Sequence, residues 1–123
     1  MDDIFNDLLH NIQSNYTVKH DTGCLITDIN PHHGCAYPKV TFTYLHKPFK
    51  INVHTFVFKM LNGVPPYAPN RPHYEHSHLC HNHKCFRLSH IRVEPHNINT
   101  KRKICNRKNN CQGHGEHEQC LSL

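Results

Sequence analysis

Cys80, Cys85 and His90 follow one another at five-residue intervals, and four more candidate ligands, Cys105, Cys111, His114 and Cys120, fall within one sixteen-residue stretch after them. Thiolates and imidazoles converging in short loops are what closed tetrahedral zinc sites require. The second group is complete within itself, with His117 as an alternative to His114. The first has three ligands and needs a fourth, for which only Cys24 and Cys35 stand upstream. Such a chain folds around its metals, because zinc binding supplies folding free energy that packing does not.

Composition agrees with metals rather than disulfides. Seven cysteines cannot all pair within one chain, and no apolar signal-peptide segment precedes them. The thiols are therefore expected to stay reduced, in an intracellular compartment, the nucleus if the host is eukaryotic. With 123 residues, 37% hydrophobic content, no Trp and eight Pro, the chain can bury only a modest core, and a single domain over residues 1–123 is expected. Fifteen histidines exceed what two metal sites can use, so most are read as surface or phosphate-facing groups.

The net charge of +5 conceals a gradient. Asp2, Asp3 and Asp7 sit near the start, whereas Lys101, Arg102, Lys103, Arg107 and Lys108 crowd the last quarter. A basic block of this kind suits a polyanion, although a solvated charged face has the same composition. No apolar run is long enough to span a bilayer.

Apolar spacing predicts a short amphipathic helix near residues 3–13, carried by Ile4, Phe5, Leu8, Leu9 and Ile12 with Asp2 and Asp3 at its start. From Tyr37 to His54 the pattern turns to alternating β-branched and aromatic residues around His46-Lys47-Pro48, a β-hairpin signal. Lys39, Thr41, Thr43, Lys47, Lys50 and Asn52 give that hairpin a polar, partly basic face, and a two-stranded ribbon can enter the major groove of duplex DNA. An ordinary half-exposed hairpin is the plainer reading. Thr55 to Asn62 predicts a core helix stopped by Gly63 and Pro65-Pro66, and Asn97 to Lys103 the start of another, with Ile98 and Ile104 inward and the basic residues outward. A short extended stretch delivers His78 just ahead of the cysteine loop.

The order Ser77-His78-Leu79-Cys80-His81-Asn82, then Cys85, then His90, then Asn99 nine residues later, resembles the His-Cys box homing endonucleases, members of the ββα-metal, HNH-like or His-Me finger nucleases. The likeness is strongest over Ser77–Asn99, continues through Cys105–Cys120, and extends weakly upstream through Thr22-Gly23-Cys24-Leu25 and the hairpin. It implies an α+β fold, a small zinc-stabilised ββα-metal domain with an N-terminal helix and a DNA-binding hairpin. By the same likeness His78 is the catalytic histidine, Asn99 the metal-binding asparagine and Arg102 the basic residue three positions on. Cys24 becomes the fourth ligand beside Cys80, Cys85 and His90, Cys35 becomes the spare thiol, and Cys105, Cys111, His114 and Cys120 form the second structural zinc site.

The activity the resemblance implies is site-specific hydrolysis of a DNA phosphodiester, with His78 as general base near neutral pKa and one Mg²⁺ on the Asn99 amide oxygen. A hard oxygen ligand suits Mg²⁺ while thiolates select zinc, so the two metals sort into two kinds of site. Lys39, Lys47, Lys50, His54 and Arg102 are the expected DNA contacts, with His54 and Lys59 nearest to the place of the family's phosphate-contacting arginine. Taken singly, His78 is one histidine among His76, His81 and His83, and Asn97 competes with Asn99 as a helix cap. The alternative to an enzyme is a non-catalytic, zinc-stabilised DNA-binding module on the same scaffold. Spacing within the second site differs from well-known members. A homodimer, if one forms, is expected to lack a swapped C-terminal tail, because only Leu121, Ser122 and Leu123 follow the last ligand.

Overall fold

Short elements separated by long loops leave the order of this chain to hairpins and to the two ligand clusters. The computed structural model describes residues 3–108 and 111–121. Asp2, Ser122 and Leu123, used above, lie outside the described residues. The elements are α1 (Asp3–Ser14), β1 (Tyr16–Lys19), β2 (Cys24–Thr27), β3 (Lys39–Tyr44), β4 (Lys47–Asn52), α2 (Val53–Leu61), β5 (Tyr74–His78), β6 (Ile91–Pro95) and α3 (His96–Lys108), with a 3₁₀ turn at Leu88–His90. Each consecutive pair of strands forms its own antiparallel hairpin.

One core joins α1, the β3–β4 hairpin and α2. Phe5 and Ile12 point inward from α1, Val40 and Phe42 from β3, and Val53, Phe56 and Val57 from α2. Phe5 is fully buried and meets Phe42 edge-on at 5.0 Å between ring centroids, the geometry that aromatic quadrupoles favour. Tyr44 stacks on Tyr67 at 3.9 Å, closing the core on the side of the proline-rich connection. Ile4, expected on the inner stripe of α1, is exposed.

The β3–β4 turn comes earlier than its sequence suggested. Lys47 already pairs with Tyr44, leaving Leu45 and His46 as a two-residue loop at φ 50° and 64°. Two successive positive φ values match the twist of a tight hairpin. Register then corrects one expectation about the polar face. Lys39 opposes Asn52 and Thr41 opposes Lys50 on one face, whereas Lys47 opposes Tyr44 on the other and carries its ammonium over the Phe49 ring. Opposed residues share a face, so Lys47 stands apart from Lys39 and Lys50.

β5, β6 and α3 make a ββα unit, with the cysteine loop as the long connection between its strands. Glu75 and Glu94 lie directly opposite each other in this hairpin, an unfavourable pair if left alone. Helix α3 supplies a separate partner to each: Asn99 and His96 to Glu75, Arg102 to Glu94. Three strands missed by periodicity, β1, β2 and β6, complete the architecture.

Candidate metal centres and active-site groove

Four ligands of the first cluster come from three parts of the chain. Cys24 opens β2 directly after Gly23, whose φ of +75° turns the β1–β2 connection in the left-handed region that favours glycine. Cys80 and Cys85 sit on the loop after β5, and His90 ends the 3₁₀ turn before β6. All four are buried, with ligand atoms within 4.8 Å of one another. The His90 Nδ1 lies 3.6 Å from Cys24 Sγ and 3.5 Å from Cys85 Sγ. A tetrahedron with ordinary Zn–S and Zn–N bonds has S···N edges of about 3.5 Å, so the donor set and its spacing fit zinc. The Cys80 thiol is pushed up by its hydrogen bond to Cys85, which it pulls down in turn, while burial pushes Cys24 up.

The second cluster gathers Cys105 from α3 with Cys111, His114 and Cys120 from the loop that follows. Its His114 Nε2 lies 3.6, 3.3 and 3.4 Å from the three sulfurs in that order, again the edges of a zinc tetrahedron. His117 bridges to His114 through backbone and is not among the four. Cys35 is exposed and joins neither cluster.

The first cluster holds up the residue at the end of β5. Backbone bonds from Thr27 to the Lys84 carbonyl and from Phe86 to the Leu25 carbonyl pin the ligand loop to β2. The Cys85 carbonyl is thereby fixed, and the His78 Nε2 lies 2.9 Å from it. A carbonyl only accepts, so Nε2 carries the proton and Nδ1 keeps a lone pair. Burial lowers the His78 pKa to about 4, against the opposing pull of the Cys85 carbonyl. This corrects the near-neutral value expected from its residue type. A pKa held this low leaves the His78 imidazole neutral at physiological pH.

His78 and Asn99 line one groove of about 560 Å³, together with Tyr37, His83, Lys103 and Arg107. Tyr37 stacks on His83 at 4.3 Å and lies nearly parallel to His78 at 6.2 Å, forming one wall. Asn99 donates its Nδ2 to Glu75 Oε1 at 2.6 Å, and His96 Nδ1 lies 2.9 Å from Glu75 Oε2. Burial raises the Glu75 pKa, but the hydrogen bonds from Asn99 and His96 outweigh it, leaving the carboxylate below its ordinary value. The Asn99 side-chain oxygen is left available as a hard ligand, a fit for Mg²⁺.

A family model described as the zinc-binding loop region of homing endonuclease matches residues 12–122. The chain belongs to this family. The fold is accordingly a zinc-stabilised ββα-metal nuclease fold, and the two Cys₃His clusters are donor sets that suit the zinc-binding loop named in the family's description. No curated protein and no solved structure matches the chain. Among the described residues no helix is long and apolar enough to cross a membrane.

Three basic residues expected near DNA turn out to be engaged inside the protein. Arg102 is 1% exposed, clasps Glu94 through Nε at 2.8 Å and Nη2 at 2.5 Å, and donates Nη1 to Cys120 Sγ at 3.4 Å. Its guanidinium offsets a buried carboxylate and meets the Cys120 sulfur, so that although it borders the groove almost none of it is exposed. His54 is buried with Nε2 3.0 Å from the His76 carbonyl. Burial, then the neighbouring His78, hold its pKa well below the ordinary value, so it offers no positive charge to a phosphate. Lys59, the other candidate, is buried and donates to the Ala68 carbonyl at 2.6 Å. Lys39 bonds Asn52 at 2.5 Å, while Lys47 and Lys50 are exposed. Ile98 is buried as expected, but Ile104 faces solvent.

Sequence reading also passed over Glu75, Tyr37 and His83. A signal for Glu75 was present: it is the sole acidic residue between Asp28 and Glu94, three positions before His78.

Proposed function

We propose that this chain is a DNA endonuclease in which His78 takes a proton from the water that attacks the scissile phosphorus. The observation that carries this reading is the His78–Cys85 contact, which leaves Nδ1 deprotonated on a residue that lines the same groove as Asn99. Asn99 Oδ1 and the scissile phosphate would hold one Mg²⁺, which when bound supplies Lewis-acid stabilisation of the charge developing on the phosphate and the leaving 3′ oxygen. The two zinc clusters stay outside the chemistry and keep the cysteine loop and α3 in place.

Phosphates would be tracked by α3. Asn99, Lys103 and Arg107 recur every four residues, on one helix face at steps of roughly 6 Å, and all three line the groove. Lys103 and Arg107, rather than the buried Arg102 and His54, are the basic residues we assign to phosphates. The exposed Lys50, with Lys39, Thr41 and Thr43 on the same face of the β3–β4 ribbon, is the surface we assign to base edges and flanking phosphates. Each chain presents one such groove, so cutting both strands requires two chains or two binding events. Thiolate ligands point to a reducing compartment, the nucleus in a eukaryotic host. Residues 1–123 act as one domain in this reading.

The test is a plasmid-nicking assay on the zinc-loaded chain with and without Mg²⁺. Conversion of supercoiled to open-circular DNA only with the metal supports the enzyme. Tight duplex binding without conversion would make the protein a zinc-stabilised DNA-binding module instead.

A further inference from the structure

An asparagine that ligates a cation has two ends of opposite character, and only its oxygen is useful. The groove must therefore contain something that settles which way the Asn99 amide is turned. Glu75 is placed to do so. Its carboxylate has acceptors only, and Oε1 lies 2.6 Å from the Asn99 nitrogen. With the opposite rotation two oxygens would be pressed together at that distance. His96, one turn before Asn99 on α3, holds Oε2 at 2.9 Å, so each carboxylate oxygen already takes one contact from α3.

We propose that Glu75 is a positioning residue, fixing the Asn99 amide so that Oδ1 and not Nδ2 is presented to the divalent cation. This rests on the reading of Asn99 as the Mg²⁺ ligand. Glu75 adds a second effect through the same contact: a carboxylate behind the amide nitrogen polarises the amide and makes Oδ1 a better donor. Outer partners of this kind alter metal affinity by about ten- to hundredfold. The contact also forbids a substitution that ligand chemistry alone would favour. Asp at position 99 offers a hard carboxylate, yet it would face the Glu75 carboxylate with no donor between them. Pairing it with glutamine at 75 restores a donor and an acceptor in exchanged order.

The experiment is a Mn²⁺ titration of the zinc-loaded chain followed by electron paramagnetic resonance, with zinc content and melting temperature measured on every variant. Asn99→Ala should lose the site, which tests the underlying reading. Glu75→Leu should weaken Mn²⁺ binding about ten- to hundredfold at unchanged zinc content, and Glu75→Gln should fall between it and the parent. Asn99→Asp alone should bind weakly, and the double variant Glu75→Gln/Asn99→Asp should return to within a few-fold of the parent. Should Glu75→Leu fail to fold, the two glutamine variants decide the matter. If Asn99→Ala loses Mn²⁺ while the Glu75 variants bind like the parent, or if Asn99→Asp alone binds as well as the double variant, Glu75 has no positioning role. If Asn99→Ala binds like the parent, Asn99 is not the ligand and both readings fall.

Discussion

The His78 Nε2 sits 2.9 Å from the carbonyl oxygen of Cys85, seven residues on, and this one contact couples a zinc ligand to the proposed base. Because the carbonyl accepts, the imidazole proton is held on Nε2 and the lone pair on Nδ1. In the proposed mechanism, zinc at this cluster would act on catalysis through geometry, without touching substrate.

Metal content follows directly. Elemental analysis should find two zinc ions per chain, one lost in Cys24→Ser and neither in Cys35→Ser, since only Cys24 joins a cluster. Cys85→Ala should lose zinc and cleavage together because it removes a ligand and disturbs the loop holding His78. Two ions retained by Cys24→Ser would contradict the ligand set.

The buried Arg102–Glu94 pair is expected to govern stability rather than DNA affinity. Arg102→Ala strands the Glu94 carboxylate, and losing one partner of a buried pair costs about 3–5 kcal/mol. Burial raises the Glu94 pKa, yet the Arg102 hydrogen bond outweighs this and lowers it below 4.5. A depressed folded-state pKa stabilises above the unfolded value and is lost as pH falls through the folded one. Urea denaturation should therefore show the parent losing stability below about pH 4.5 more steeply than Glu94→Gln. An Arg102→Ala protein as stable as the parent but deficient in DNA binding would restore Arg102 to the surface.

DNA affinity should drop steeply with salt as counterions are released. Lys103→Ala and Arg107→Ala should each lower the slope of log affinity against log salt by about 1, the signature of a lost phosphate contact. His54→Ala should leave that slope unchanged. Equal slopes in parent, Lys103→Ala and Arg107→Ala would remove α3 from the interface.

The pH profile tests the environment of His78. An imidazole at its ordinary value of 6.5 would lose most of its basic form by pH 5.5, whereas one held near 4 keeps it. At saturating Mg²⁺, nicking should hold nearly level from pH 7.5 to 5.5 and fall below pH 5. An activity midpoint near 6.5 would mean that the base is solvated.

What could be read in advance was whatever depends on residue type and short-range spacing. Most zinc ligands were legible because sulfur and imidazole at loop spacing have few other uses, whereas Cys24 was chosen over Cys35 only through the family likeness; α1, α2 and the β3–β4 hairpin were legible because their apolar residues recur at helix or strand periods. β1 escaped because all four of its residues are exposed, leaving no alternation to detect. β6 escaped because Arg92 and Glu94 interrupt it, and Glu94 is buried only because Arg102 meets it from a helix eight residues on. Arg102 itself stood within a basic run, where no pattern distinguishes the one cation turned inward. Asn99 was recognised by distance from His90, while Glu75, which sets its rotation, acts through a strand-to-helix contact spanning twenty-four residues.

The most direct test compares the parent with His78→Ala in single-turnover nicking of supercoiled DNA, alongside zinc content and duplex affinity. Nicking should fall by about 10²–10⁴-fold with two zinc ions and DNA affinity nearly unchanged, as expected for loss of a general base alone. A His78→Ala protein that nicks DNA at the parental rate would contradict the account.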